Sequence, residues 1–541
     1  MNWKPSRRQV LGSGLLAAFG AAAPGSLLSK AAFAQVRGGT LTVGLPYDVD
    51  TLNVYTTGFL GDVEAAVVEG LLAPNENAKY VPVLATEVPT VQNGGIELLD
   101  GGSKMRIKYK LRPNVKWHDG KPFTSADVKF TWEAVSDPKF IAESKDGTAD
   151  VASIETPDEL TAIVNYKSVS PTFASTLFTF GILPKHALEG KDLNKDPYND
   201  KPLGTGPFVV TEFRHGQHVV VERNPNYWRK DEKGQALPYI ERIIFKIIPD
   251  SNTLMTQLKS GEVAFAYRVP YSQAKQLETV GSLELLKGPL LSWQHLDFNF
   301  RGPKSLQDLT VRKAIAHAIN RDTIVRALGG FPVSIKSVVV PIFDFHDPNT
   351  PSYDLDPAKA NKLLDDAGYA KGADGVRVKD GERLSYRIVC LAGLVDDEIT
   401  EQVLIAQLKA IGIEVKPDNK AGVAFREARY KGNYDLLYAR WITSADPVYS
   451  VFFGTKGANN GQGYSNPRLD EVMRRMESTL DPEQRRQSAK EMQAILAADL
   501  PTIPLTTNVG VIAKTRKLKN FIPNPTNMTN FVDTSRWYLE T

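Results

Sequence analysis

The sequence predicts a mixed α/β fold, because strand-like and helix-like patterns alternate along the chain. Residues 40–44 form a β-rich run and residues 240–248 a near-continuous apolar run, both typical of strands. Residues 311–319 instead place apolar side chains at helical spacing. The chain has 541 residues, 42% hydrophobic and 23% charged. This ordinary globular composition excludes collagen-like, coiled-coil and disordered classes.

The first half of the chain carries several predicted strands and one well-marked helix start. Residues 106–111 alternate polar and apolar side chains, as a half-buried strand does. Thr124 is placed to cap the helix that follows it, with Asp127 at the third helical position. Residues 208–213 and 218–223 flank a short glycine-containing turn, which predicts a β-hairpin.

Helix boundaries are marked more often in the second half of the chain. Asp356 and Asp481 each precede a proline, an arrangement typical of a helix N-cap followed by its first helical residue. Residues 401–411 predict a helix that Gly412 ends. Residues 434–441 predict a strand that leads into a polar, glycine-rich stretch.

Residues 1–34 have the features of a cleaved export signal. They hold an apolar run at 10–23, a small-residue cleavage pattern at 32–34, and four cations without an acid: Lys4, Arg7, Arg8 and Lys30. The run at 6–11 resembles a twin-arginine signal, and Gln35 after the cut leaves no cysteine for a lipid anchor. We therefore expect a soluble periplasmic protein that is not anchored to the membrane.

The charge of the chain belongs mostly to this leader. Subtracting its +4 from the total of +3 leaves −1 on the remaining 507 residues. A nearly neutral chain lacks the basic surface that nucleic-acid binding requires, so we expect no nucleic-acid partner.

Motifs for catalysis and cofactor binding are missing from the sequence, and we expect neither an enzyme nor a cofactor. Cys390 lies in an apolar run and is interpreted as a buried structural thiol. His215 and His218 flank a predicted turn, where solvation is a simpler interpretation than metal binding. The acidic pairs at 365–366 and 396–397 are interpreted as exposed solvating groups.

The chain beyond residue 38 resembles the bacterial extracellular solute-binding proteins of family 5, typified by oligopeptide- and dipeptide-binding proteins. Five runs match the family's motifs in order: 68–72 (VEGLL), 111–128 (LRPNVKWHDGKPFTSADV), 204–208 (GTGPF), 222–228 (ERNPNYW) and 311–321 (VRKAIAHAINR). These runs have scaffold roles; we expect Gly204 and Gly206 to allow close backbone contact, and Arg312 and Arg321 to form ion pairs.

The resemblance implies two lobes that close over a ligand and deliver it to the membrane permease of an ATP-driven ABC importer. Lobe one then takes residues 36–290 plus 506–541, with an extra subdomain, and lobe two takes residues 300–500. The chain crosses between the lobes near 291–299 and 501–508. We expect a monomer. A secreted hydrolase is a remote alternative, because twin-arginine export often carries enzymes.

In peptide-binding relatives, a strand that ends in Gly-Trp is followed by an aspartate that pairs with the ligand's amino group. The matching stretch here has Arg440 in place of the glycine before Trp441, and Ser444 where that aspartate is expected. Asp446 can serve as the anchor if the loop is shifted. If Arg440 faces the cleft, it favours a carboxylate or a phosphate on the ligand.

Aromatic and amide side chains complete the predicted ligand site, where rings can stack on sugar or peptide faces. The candidate ligand-binding residues are Tyr47, Trp293, Arg440, Trp441, Ser444, Asp446, Tyr449, Asn459 and Tyr464. The first hypothesis is a short peptide as the ligand. The alternative is a non-peptide solute such as an oligosaccharide, an opine or a sugar-phosphate conjugate.

Overall fold

A computed structural model describes residues 37–57, 62–526 and 530–540. Its strands are β1 Thr40–Leu45, β2 Leu72–Pro74, β3 Tyr80–Pro82, β4 Ile96–Leu99, β5 Lys104–Lys110, β6 Val151–Asp158, β7 Thr161–Tyr166, β8 Phe208–Arg214, β9 His218–Arg223, β10 Arg242–Ile247, β11 Phe265–Ala266, β12 Leu283–Phe298, β13 Val333–Ser334, β14 Ala370–Lys371, β15 Arg377–Lys379, β16 Glu382–Arg383, β17 Ser385–Val389, β18 Glu414–Pro417, β19 Leu436–Ile442, β20 Thr502–Thr515, β21 Leu518–Lys519 and β22 Tyr538–Leu539. Its helices are α1 Ser125–Ser136, α2 Leu177–Phe180, α3 Lys185–Leu188, α4 Ser251–Ser260, α5 Tyr271–Leu277, α6 Lys304–Gln307, α7 Leu309–Ala318, α8 Arg321–Ala327, α9 Pro357–Asp366, α10 Val395–Ala410, α11 Gly422–Lys431, α12 Ser450–Phe453, α13 Pro467–Met476 and α14 Pro482–Asp499.

Two long antiparallel strands, β12 and β20, lie at the centre of the largest sheet. Strands β11, β1, β10, β9 and β8 extend the sheet on the β20 side, and β19, β17 and β18 extend it on the β12 side. The short β13 also pairs with β20. A separate antiparallel sheet has the order β4-β5-β7-β6. The mixed α/β class that the sequence predicts is therefore observed.

Buried apolar side chains form three large clusters around these sheets. The first joins β1 and β10 to the four-stranded sheet and to the C-terminal segment, and includes Val43, Ile107, Phe245 and Trp537. The second lies under α7 and α10, and includes Leu296, Ile315, Leu404 and Leu436. The third lies under α13 and α14, and includes Trp293, Tyr449, Met473 and Met492. The long strands β12 and β20 contribute side chains to more than one cluster, so they connect these clusters.

Several predicted helix starts and strand pairs are confirmed at the level of single hydrogen bonds. The Asp127 side chain accepts a hydrogen bond from the Thr124 N–H (2.9 Å), which closes the capping box of α1. Asp356 and Asp481 are the N-cap residues of α9 and α14, and their side chains accept hydrogen bonds from the N–H groups of Lys359 and Glu483. The predicted hairpin is formed by β8 and β9, which pair in antiparallel register.

Helix α10 begins at Val395, earlier than the predicted residue 401. Asp396 and Asp397 lie in its first turn, where acidic side chains are stabilised by the positive end of the helix dipole. The interpretation of this acidic pair as exposed is wrong for Asp397, whose exposed fraction is 7%. The neighbouring Asp396 is half-buried.

The ion pairs expected for Arg312 and Arg321 are absent from the described residues. Arg312 instead donates hydrogen bonds to the carbonyl oxygens of Leu306 (2.8 Å) and Asp499 (2.9 Å). The Arg321 Nε donates to the Pro504 carbonyl oxygen (2.8 Å). Both arginines therefore satisfy backbone carbonyl groups at the ends of helices and strands, and that expectation is wrong. None of the described helices is long and apolar enough to cross a lipid bilayer.

Candidate functional site

The carboxyl ends of the parallel strands in the large sheet point at the middle of the β12–β20 pair. Strand β1 runs parallel to β11, and β17 runs parallel to both β18 and β19. After β11, Val269 donates a backbone hydrogen bond to β20 (3.1 Å), whereas β19 ends with Ile442 opposite Ser292 of β12. We call the region over residues 287–292 and 507–511 the central site. Open α/β sheets bind their ligands beyond the carboxyl ends of their parallel strands.

Strand β19 leaves one edge open at this central site. Strand β17 pairs with β19 only as far as Leu437, whereas β12 pairs with β19 along its whole length. The Thr443 N–H donates to the Leu291 carbonyl oxygen on β12 (2.8 Å). Because neighbouring residues alternate in an antiparallel ladder, the backbone groups of Arg440 and Ile442 point away from β12. The Arg440 carbonyl oxygen on this edge already accepts a hydrogen bond from Arg429 of α11. The Arg440 N–H and both backbone groups of Ile442 can still pair with an extended chain that is added as a strand.

Arg429 of α11 stacks on Trp441 beside the open edge. Its guanidinium carbon lies 3.2 Å from the centroid of the Trp441 ring, and its Nη2 donates to the Arg440 carbonyl oxygen (2.8 Å). Burial lowers the pKa of Arg429 to about 10, and the Asp297 carboxylate acts in the opposite direction. The Nε of Arg429 is buried without a hydrogen-bond partner in the described residues. A buried cation therefore stabilises the orientation of Trp441.

Trp293 and Tyr449 lie in an aromatic cluster on the same face of the sheet as Trp441. The Trp293 ring lies 6.2 Å from the Tyr449 ring, and Trp441 stacks on His295 with the ring centroids 6.3 Å apart. In the described residues Trp293 Nε1, His295 Nε2 and the Tyr449 hydroxyl are buried and have no hydrogen-bond partner. Buried polar atoms normally have hydrogen-bond partners, so we expect these three groups to bond to water molecules or to a ligand.

Arg440 lies on the opposite face of β19, next to α10. Its Nη2 is 3.8 Å from Asp397 Oδ2, and 37% of its side chain is exposed. The cross-strand neighbour Gln294 donates to Asp397 Oδ1 (3.5 Å). Burial raises the pKa of Asp396 and of Asp397, and Arg440 acts in the opposite direction on both. Arg440 is thus half-exposed, and a carboxylate partly offsets its charge.

Ser444 and Asp446 follow β19 in the loop before α12. Ser444 is exposed, and its hydroxyl donates to the Asp446 carbonyl oxygen (2.8 Å). Both oxygens of the Asp446 carboxylate accept hydrogen bonds from Arg485 in a bidentate, largely buried ion pair. Asp446 therefore already has a cationic partner in this structure.

Tyr47 lies at the other set of strand ends. It follows β1, and its hydroxyl is hydrogen-bonded to the hydroxyl of Tyr267, which follows β11. Tyr267 also donates to the Asp62 carboxylate. The guanidinium of Arg268 lies 5.4 Å from the Tyr47 ring centroid and 5.6 Å from the Tyr267 ring centroid. Two tyrosines and one arginine thus occupy the side of the central site opposite to β19.

Tyr464 and Asn459 lie apart from the residues above. The Tyr464 hydroxyl donates to Asp499 (2.6 Å) just before β20, and its ring packs beside Phe300 just after β12. This position is at the outer ends of the long strands. Asn459 donates its backbone N–H to the Val451 carbonyl oxygen in α12 (2.9 Å). The structure therefore brings together Trp293, Trp441 and Tyr449, with Arg440 on the other face of the strand.

Sequence reasoning missed three residues at the central site: Arg268, Gln294 and Arg429. No motif marks them, because Arg268 and Gln294 reach the site through strand pairing and Arg429 through the packing of α11 against β19. Arg429 precedes β19 by only a few residues, so its position on a helix before the predicted strand was the one available indication.

The described residues contain no group of three or more histidine, cysteine and acidic side chains arranged to hold a metal ion. His215 lies 3.3 Å from Asp200 and His218 lies 3.5 Å from Glu212. Cys390 is fully buried, and burial raises the pKa of its thiol above the ordinary range. A buried structural thiol is the interpretation that the sequence predicts.

Residues 79–463 match the family model described as bacterial extracellular solute-binding proteins, family 5 Middle. The chain belongs to this family. The match covers more than half of the chain and includes the strands and loops that form most of the central site.

Several binding proteins are similar to this chain over nearly its whole length. The oligopeptide-binding protein AppA of Bacillus subtilis (strain 168) is 28% identical, with 98% of this chain and 97% of that protein covered. The glutathione-binding protein GsiB of Pectobacterium atrosepticum is 27% identical, with coverage of 97% and 98%. The structure of Bacillus subtilis AppA in complex with a nonapeptide superposes with a TM-score of 0.74 at 26% identity, over 94% of this chain and 100% of that chain. The two-lobed α/β architecture that the sequence predicts is thereby confirmed.

Proposed function

We propose that this family 5 protein captures short peptides and delivers them to the membrane permease of an ATP-driven importer, without catalysis. The observation that carries the proposal is the open edge of β19 at the central site. There the Arg440 N–H and both backbone groups of Ile442 point away from β12, whereas the Arg440 carbonyl oxygen is bonded to Arg429. An extended peptide pairs with such an edge through its main chain, so many side-chain sequences can be accepted.

The surroundings of this edge suit a peptide better than a sugar. Trp441 is held by Arg429 beside these backbone groups and is half-buried. The relatives named above include an oligopeptide-binding protein and a structure with a bound nonapeptide, which supports the same class of ligand here. A sugar or an opine has no amide backbone with which to extend the sheet.

The ligand's amino group has no free aspartate at the position expected from peptide-binding relatives. Ser444 occupies that position, and Asp446 is paired with Arg485. We propose that the peptide main chain and the aromatic side chains hold the ligand, with Asp446 as an anchor only if it leaves Arg485. Tyr449 and Trp293 supply unpaired hydrogen-bonding groups within the aromatic cluster.

The proposed transport role includes export and a domain arrangement. Residues 1–34 act as a twin-arginine signal, and the mature chain works as a soluble monomer in the periplasm. Residues 36–290 and 506–541 form one lobe, residues 300–500 form the other, and the crossings lie at 291–299 and 501–508. Replacement of Arg7 and Arg8 by lysine tests the export route. The precursor should then stay in the cytoplasm, and unchanged periplasmic yield would rule out the twin-arginine route.

Binding to the open edge is tested by isothermal calorimetry with trialanine, tetra-alanine and penta-alanine. A series of N-methylated penta-alanines removes one backbone N–H at a time. Affinity should fall most at the one position whose N–H donates to the Ile442 carbonyl oxygen, because only every second residue of an added strand faces β19 and the Arg440 carbonyl oxygen is bonded to Arg429. Trp441→Ala should weaken binding at least about tenfold, as for other aromatic anchors. The matched control is Trp132→Ala in α1, which is far from Trp441 in sequence, and this variant should bind the peptides as the wild type does.

Native mass spectrometry of the protein purified from the periplasm identifies the natural ligand. A set of peptide masses released on denaturation supports the proposal. Release of a sugar or an opine, together with no calorimetric response to any alanine peptide, would contradict it and favour the alternative solute class.

A further inference from the structure

The turn between β2 and β3 lies within the residues of lobe one but packs into the core of lobe two. Ala78 in this turn is buried, with an exposed fraction of 7%. It is a member of the third cluster of buried apolar side chains. Every other buried residue that the structure describes in this cluster lies between residues 291 and 496, in lobe two or in the crossing that leads to it. The turn therefore connects the two proposed lobes.

Hydrogen bonds within residues 75–79 fix the conformation of this turn. The Asn75 side-chain oxygen accepts hydrogen bonds from the N–H groups of Asn77 and Lys79, both at 3.0 Å. The Ala78 N–H donates to the Asn75 carbonyl oxygen (3.0 Å). Ala78 has a φ of 55°, in the left-handed region that few residues with a Cβ atom adopt. Such strained backbone is concentrated at functional positions.

The two residues after Ala78 also contact lobe two. Lys79 forms an ion pair with Asp344, in the loop after β13. Tyr80 packs against both the first and the third cluster of buried side chains. Burial raises the pKa of the Tyr80 hydroxyl, and the Asp446 carboxylate in the loop after β19 adds to the rise. Three consecutive residues thus meet lobe two, the last of them near the loop that follows the open edge.

The buried contact of Ala78 should contribute more than the ion pair. The side chains of Lys79 and Asp344 are 54% and 64% exposed. An exposed ion pair changes an equilibrium by about fivefold at most. Separation of the lobes would instead expose Ala78 and the apolar side chains that cover it, which is unfavourable in water.

We infer that residues 75–80 form a strap that holds the two lobes together over the captured peptide and limits the rate of its release. This inference rests on the proposed peptide capture and two-lobe arrangement. A peptide enclosed between two lobes leaves only when they separate, and separation withdraws Ala78 from the third cluster. The strap therefore increases affinity through a slower dissociation, without a contact to the ligand.

The first test measures the release of tritiated penta-alanine after excess unlabelled peptide is added. Ala78→Asn keeps the left-handed backbone, which asparagine tolerates, but places an amide in the apolar cluster, so release should be at least about tenfold faster. Ala78→Gly also accepts this backbone and removes only the methyl group, so it should have a smaller effect in the same direction. Asp380→Asn, at a left-handed position in the exposed β15–β16 turn, is the matched control and should release peptide as the wild type does. Wild-type release rates in both Ala78 variants would overturn the inference.

The second test measures the contact between the lobes without a ligand. Cysteines introduced by Lys79→Cys and Asp344→Cys are joined by a short bismaleimide, and the one native cysteine, Cys390, is buried. The cross-link should form within one molecule, and more slowly when Ala78→Asn is added. Its absence, or an equal rate with Ala78→Asn, would overturn the strap. If the cross-link behaves as expected but the wild type binds no alanine peptide, peptide capture fails while the contact between the lobes stands.

Discussion

Glu64 is a buried carboxyl group whose titration should change the stability of the protein near neutral pH. Its exposed fraction is 2%. Burial raises its pKa from 4.5 to about 8, and the like charges of Asp62 and Asp50 add to the rise. The folded state therefore binds a proton that the unfolded state releases between these two pKa values. The stabilisation that this proton provides is complete below the unfolded pKa and is lost as the pH rises through about 8.

The size of the effect follows from the shift of the pKa. Each unit corresponds to about 1.4 kcal/mol, so the free energy of unfolding should fall by about 4 kcal/mol between about pH 5 and about pH 9. A folded chain of about 500 residues has an unfolding entropy of about 1 kcal/mol per degree, so this change lowers Tm by about 4 °C. Glu64→Gln removes the ionisable group and should remove this part of the pH dependence.

Differential scanning calorimetry across this pH range measures the difference in Tm between the wild type and Glu64→Gln. That difference should change steadily in favour of the variant as the pH rises. Glu133→Gln, at an exposed position on α1, is the matched control and should run parallel to the wild type. A difference between wild type and Glu64→Gln that does not vary with pH would refute the reasoning, since it would mean that Glu64 titrates alike in both states.

Three further changes should have distinct effects. Gly204→Ala places a Cβ atom 1.9 Å from the Val67 carbonyl oxygen, so the denaturation midpoint should fall by the equivalent of about 3 kcal/mol or more. Arg485→Ala leaves the Asp446 carboxylate without its largely buried partner and should cost about 3 kcal/mol of stability, measured by urea unfolding. Arg440→Ala should weaken peptide binding by only about 1 kcal/mol in calorimetry, because the arginine is half-exposed and a neighbouring carboxylate already shares its charge.

The sequence predicts those parts of the fold that depend on neighbouring residues. Asp356 and Asp481 cap their helices because a short acidic side chain reaches the N–H groups of the next turn without any tertiary contact. The predicted start of α10 is too late, because the sequence alone places Asp396 and Asp397 among exposed, solvating groups. In the fold, Gln294 and Arg440 approach Asp397 from neighbouring strands and make its burial tolerable.

The features that the sequence does not predict depend on pairing between strands that are far apart along the chain. Strand β12 begins well before the crossing predicted at 291–299, because β20 pairs with it through Gly288 and Pro289. Glycine and proline are unfavourable inside strands, so the sequence does not predict a strand at these two residues. The central site depends on the same pairing, since it places residues after β1 and β11 opposite residues after β19. The sequence identifies the aromatic residues but not their positions in the fold. Strand pairing places Trp441 at the open edge of β19 and Tyr464 at the outer ends of β12 and β20.

The arginine side chains around the central site have acidic neighbours within the folded protein. Arg440, Arg429 and Arg485 are each opposed by an acid in the folded protein: Asp397, Asp297 and Asp446 in turn. A ligand carboxylate gains less from a cation whose charge is already balanced, because the two anions compete for the same guanidinium. Arg268 is exposed and stacks on the Tyr47 and Tyr267 rings, and the Tyr267 hydroxyl donates a hydrogen bond to the Asp62 carboxylate. We therefore expect the open strand edge to contribute more to peptide binding than any one cation, so that peptides of many sequences are accepted.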